Sequence, residues 1–180
     1  MIFKKLALVT LLAGVSSVSL NVMAAPSAEV TLQGILTSSS CDVTINGGKP
    51  VLNVGVLNTS VGESDSNFPD VNVMSDKSNE MPVTLIGCQK GENGSLLIQG
   101  ITSVGNNERN IFVSDDSQTV GFMIKDAAGT TVTNGGKIGF KIGADNTEAQ
   151  YSFKVGMATT TSNPDAGSYS APILVAYIVN

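Results

Sequence analysis

Apolar and polar residues alternate with a period of two along most of this chain, in short runs broken by turn residues. Successive side chains of a strand point to opposite faces, so the pattern builds strands with one face in a core and one in water. Many such runs in a row predict an all-β sandwich. Ala28, Val30 and Leu32 form the first run. Cys41, Val43 and Ile45 form the next and end at the turn Asn46-Gly47-Gly48. Leu52, Val54 and Val56 follow, then a polar stretch from Asn58 to Pro69 that reads as a loop. Pro82 to Cys88 reads as a buried strand, closed by the polar turn Gln89 to Gly94, and Ser95 to Ile101 as the strand after it. Gly105 to Asn110 is a turn.

Beyond it, Val120, Phe122 and Ile124 alternate up to the turn Asp126-Ala127-Ala128-Gly129, and Thr130 to Val132 would pair back as a hairpin. Asn134-Gly135-Gly136 turns into Ile138, Phe140 and Ile142. Tyr151, Phe153, Val155 and Met157 alternate cleanly. After the turn Asn163 to Gly167, the alternation of Tyr169, Ala171, Ile173, Val175, Tyr177 and Val179 runs almost to the end. No window carries a helical period of useful length, and Asp145 to Ala149 has room for one turn.

Composition narrows the chemistry. The 180 residues contain no His, which removes Ser-His-Asp and Cys-His catalysis, His-ligated zinc and proximal-His haem together. Ten basic residues stand against 15 acidic ones, so no basic footprint for nucleic acid is present. No interdomain linker and no repeat is visible. Neither an enzyme nor a cofactor is expected.

The N-terminus reads as a secretory signal peptide over residues 1–24. Lys4 and Lys5 precede an apolar run from Leu6 to Val15, too short to span a bilayer, and Val22-Met23-Ala24 offers a cleavage site. In an exported chain the two cysteines, Cys41 and Cys88, read as a disulfide. It would close a loop of about 48 residues, worth about 4 kcal/mol in the chain-entropy model.

Other motifs read as turns or solvated loops. Gly135-Gly136-Lys137 is followed by Ile138 rather than Ser or Thr, unlike a phosphate loop. Asp115-Asp116 and the group Glu63, Asp65 and Asp70 lack calcium-loop spacing. Asn93-Gly94-Ser95 is a chance sequon with turn chemistry, and nothing marks a pair of carboxylates for glycoside hydrolysis.

Four segments, in order, carry a resemblance over essentially the whole mature chain. Gly34 is separated from Cys41 by six residues, Ile35 to Ser40. Val83-Thr84-Leu85-Ile86-Gly87-Cys88 is an apolar strand ending in the second cysteine. Val120 to Asp126 with Gly129 makes a glycine-and-aspartate hairpin. Gly167 stands fourteenth from the end, before the terminal alternating run. Together these resemble the fimbrial (pilin) subunits of the bacterial chaperone–usher pathway, of the type 1 pilus kind.

The resemblance implies an incomplete immunoglobulin-like β-sandwich, the pilin fold, completed by a donated strand. Residues 25–33 would be an N-terminal extension acting as donor strand, and residues 34–180 the pilin domain. Ala28, Val30, Leu32 and Gly34 would enter a neighbour's groove. Gly167, Ile173, Val175, Tyr177 and Val179 would form the C-terminal strand that edges the groove and meets chaperone and neighbouring subunit. The implied partners are a periplasmic pilus chaperone, an outer-membrane usher, neighbouring subunits in a homopolymer and a host receptor. The implied destination, by way of the periplasm, is a fimbrium on the cell surface that supports adhesion or biofilm formation. Two features depart from the family: its members commonly have an aromatic residue second from the end, where this chain has Val179, and the extension Ala25 to Gln33 is short.

From the residues alone, 28–37 also reads as the first strand of a complete sandwich. The alternative function is then a self-contained secreted binding module, a single-domain adhesin for a carbohydrate or protein ligand.

Overall fold

A computed structural model describes residues 41–58 and 70–179. The expected signal peptide, the expected extension with Ala28, Val30, Leu32 and Gly34, and most of the stretch Asn58 to Pro69 lie outside the described residues. Among the described residues there are eight strands: β1 (Asp42–Ile45), β2 (Ser78–Ile86), β3 (Asn93–Thr102), β4 (Phe112–Val113), β5 (Val120–Lys125), β6 (Lys137–Lys141), β7 (Glu148–Thr159) and β8 (Ile173–Val179). A single 3-10 turn, Asn46–Gly48, follows β1.

All strand pairings are antiparallel, and β3 serves two sheets. One runs β1-β2-β7-β5-β4-β3. In the other, β3 lies between β6 and β8. The core fills the space between them. Met81, Val83 and Leu85 of β2 meet Leu96 and Ile98 of β3, Ile124 of β5, Phe153 and Val155 of β7, and Val175 and Tyr177 of β8. These are the period-two positions of the sequence, which is why the fold is legible from alternation. A smaller cluster of Ile111, Val113, Met123 and Ala158 is covered by Met74 and Ile101.

Several expectations need correction. Leu52, Val54 and Val56 form no strand among the described residues, although Leu52 and Val54 do pack against the core. The chain leaves β1 through Asn46, Gly47 and Gly48, all at positive φ, which displaces it from the ladder. The carbonyls of Asn53 and Val56 then accept side-chain donors, Asn79 Nδ2 at 2.5 Å and Lys77 Nζ at 3.5 Å. The terminal strand starts at Ile173 rather than Tyr169, because Pro172 has no N–H to give a ladder. Thr130 to Val132 pairs back by a bridge from Lys125 to Thr131 and by bonds from Asp126 N to the Thr130 carbonyl and from Val132 N to the Ile124 carbonyl, without making a strand of its own. The space for a helical turn at Asp145 to Ala149 holds a plain turn that is already β7 by Glu148.

Candidate strand-acceptor edge

The sulfurs of Cys41 and Cys88 are bonded, with Cα atoms 4.3 Å apart. The bond ties the start of β1 to the chain just beyond β2, where Asp42 pairs with Ile86. It therefore fixes β1 as the outer strand of its sheet. Cys41, Val43 and Ile45, with Leu52 and Val54 beyond, turn apolar atoms onto the core from that side.

β8 bounds the core from the other sheet. Its seven residues, ILVAYIV, contain no charge. Val175 and Tyr177 are buried, Ile173 and Val179 are half-buried against the same core, and Leu174 is exposed. The parity expected for Ile173, Val175, Tyr177 and Val179 is the one found. Gly167 is different: it is exposed in the loop before β8 and lies outside the strand.

On one side β8 pairs with β3 along its length, from Gly100–Ile173 to Gly94–Val179. On its other side it has no strand partner among the described residues. β1 likewise pairs only with β2 there, and the two strands come close without pairing. Among the described residues the sandwich thus has an unpaired apolar edge next to the disulfide-anchored β1. Such an edge exposes a row of unmet N–H and C=O groups and invites another strand. The second outer strand, β6, is protected by contrast, with exposed Lys137 and Lys141 at its ends.

At the far end of β8, Tyr177 presses its ring on Gly94 of β3. Burial pushes the Tyr177 hydroxyl above its ordinary pKa, and the negative charge of Glu92 adds to the shift. Sequence reading placed Glu92 and Gly94 in the turn Gln89 to Gly94, whereas Asn93 and Gly94 already belong to β3; a glycine opening a strand beside a terminal Tyr was the available signal.

No group of three or more acidic or cysteine side chains that could hold a metal occurs among the described residues. Asp115 accepts bonds from the hydroxyl and amide of Ser117, which lower its pKa, so it behaves as a loop residue. Asp70 is exposed, and Glu63 and Asp65 lie outside the described residues.

No protein-family model and no curated protein sequence matches the chain. Solved structures do. The rod subunit PapA of the P pilus superposes with a TM-score of 0.57 at 13% identity, covering 78% of this chain and 99% of that one. A subunit from the structure of a chaperone–usher pilus rod gives 0.57 at 14% identity, covering 86% and 96%. The fold is the pilin fold. A type I fimbria protein of Burkholderia pseudomallei shares it, with a TM-score of 0.52 at 13% identity over 78% of this chain and 99% of that chain. At such identity the pilin likeness speaks for the arrangement of strands, and residue roles rest on the geometry above.

Proposed function

We propose that this chain is a structural subunit of a chaperone–usher fimbria and polymerises by donor-strand exchange. The observation that carries the reading is β8, an uncharged edge strand with one strand partner among the described residues, beside the anchored β1. An added strand would gain main-chain bonds along β8 and side-chain pockets in alternation.

In this reading residues 1–24 are removed on export, residues 25–33 are the donor and residues 34–180 the acceptor domain. Ala28, Val30, Leu32 and Gly34 share one face of the donor, and a one-residue slip would turn that face outward. A periplasmic chaperone fills the edge first. At an outer-membrane usher the extension of the next subunit replaces it, and the homopolymer grows on the cell surface, where it serves adhesion or biofilm formation. Chemistry is confined to assembly, and no turnover is involved.

The test is Val30→Asp or Leu32→Asp in cells that assemble the fibre. A buried carboxylate without a partner is costly, so the donor face fails while the acceptor domain stays intact. Chaperone-bound subunit with no fibres is the expected outcome. Normal fibres from either variant would refute the donor assignment.

A further inference from the structure

Two small surface features on opposite faces of the sandwich match one another. The first stands on the outer face of the β1–β2–β7 sheet. There Asp42 of β1, Ile86 of β2 and Glu148 of β7 are direct partners across three strands. Their chain neighbours Val43, Leu85 and Ala149 pack on the core, so these three point to solvent. Ile86 is 45% exposed, an apolar knob with a carboxylate on either side. The next outward row, Thr44, Thr84 and Gln150, is neutral.

The second feature stands on β6 in the other sheet. Lys137, Gly139 and Lys141 are exposed there, while Ile138 and Phe140 turn to the core. A Cβ built on Gly139 would meet nothing within 4 Å. The glycine is therefore the floor of an open notch, with a lysine on either side whose methylene stem is apolar up to the ammonium. No other charge occurs on β3, β6 or β8, so no acid offsets these two. None of Asp42, Glu148, Lys137 and Lys141 makes a side-chain hydrogen bond or ion pair among the described residues.

We propose that the knob of one copy seats in the notch of another, with Asp42 and Glu148 meeting Lys137 and Lys141. The spans agree: two strand spacings, about 10 Å, separate the acidic residues, and four residues of β6, about 13 Å, separate the lysines. Flexible lysine side chains cover the difference. The acidic row runs across its strands and the basic row along one, so the two sheets cross roughly at right angles. Knob and notch lie on opposite faces of one copy, which makes the contact heterologous and able to repeat without closing. Exposed ion pairs are individually weak and screened by salt. The contact therefore rests on the polymer proposed above, which holds copies at high effective concentration. It is a lateral contact, separate from strand donation at the β8 edge.

The test is zero-length carbodiimide cross-linking of assembled material sheared from the cell surface. The reagent joins carboxylates to amines in contact. Boiling in SDS removes species held only by donated strands, so the covalent dimers that survive carry the links, located by mass spectrometry. Links from Asp42 or Glu148 to Lys137 or Lys141 are expected, and about 1 M salt should reduce them. Gly139→Val should cut their yield at least about tenfold, because it fills the notch, while open space and a strand position accommodate it in the fold. Lys137→Glu with Lys141→Glu should also abolish the links, and adding Asp42→Lys with Glu148→Lys should restore them. Links absent from material that still gives high-mass species in unheated SDS, or undiminished in Gly139→Val, would overturn the contact. Loss of those high-mass species would instead refute strand donation; the links are then sought in the concentrated purified chain, where their absence overturns the contact as well.

Discussion

The ring of Tyr177 on β8 lies against Gly94 of β3 so closely that a Cβ on the glycine would sit 2.5 Å from ring carbon Cζ. The same Cβ would lie 2.5 Å from the Ile178 carbonyl oxygen. Both neighbours are held by the β3–β8 ladder, and the carbonyl is backbone, so neither gives way cheaply. Gly94→Ala is therefore expected to lose about 1–3 kcal/mol by overpacking. A thermal melt checks it, at about 2–4 °C per kcal/mol for a domain of this size. An unchanged midpoint would mean that the end of β8 is looser than described.

The Tyr177 hydroxyl makes stability fall at alkaline pH. Its folded pKa is raised, first by burial and then by Glu92. Below pH 10 the phenol is neutral in both states and the contribution is intact. Above that, the unfolded chain ionises first and is favoured, so stability declines as pH rises through the folded pKa. Tyr177→Phe should flatten the fall between about pH 9.5 and 11 relative to the parent. Identical slopes in denaturant titrations across that range would contradict the burial of this hydroxyl.

Parity along β8 can be read by truncation. Val175 is 5% exposed and Leu174 40%. Val175→Ala should cost about 1–3 kcal/mol, while Leu174→Ala should stay within about 0.5 kcal/mol in the unassembled chain. Equilibrium unfolding gives both values. Equal costs would indicate a different face in the core.

Removing the Cys41–Cys88 bond frees a loop closed over a sequence separation of 47 and detaches the start of β1. The double variant Cys41→Ser, Cys88→Ser should lose about 2–4 kcal/mol. A reductant should bring the parent to the same midpoint. Unchanged stability would show that β1 is held by its ladder alone.

Much of this architecture was readable because burial follows a period of two. β5 has the bounds of its run, Val120 to Lys125, although Met123 on the opposite face is buried too, in the smaller cluster, and β7 extends Tyr151 to Met157 at both ends. β2 starts at Ser78 rather than Pro82 because Asn79 and Glu80 disguise a strand whose inward residue is Met81. β4 was missed: Ile111, Phe112 and Val113 are all buried, so no alternation marks it. Leu52 and Val54 alternate without a ladder, which shows that period two reports burial and not pairing. The cysteine pairing and the β8 face were legible. The contact of Glu80 with Ser152 was not, since it depends on the register of β2 against β7.

The central claim is that β8 takes a strand from another copy of the chain. The most direct measurement is electrophoresis in SDS of material sheared from the cell surface, unheated and boiled, detected with an antibody to this chain. A fully paired strand leaves its groove slowly, so such a polymer is kinetically stable. The expected result is a ladder of high-mass species that collapses on boiling to one band near the mature mass. A single monomer band in both lanes, from cells that express the protein, would contradict donor-strand polymerisation.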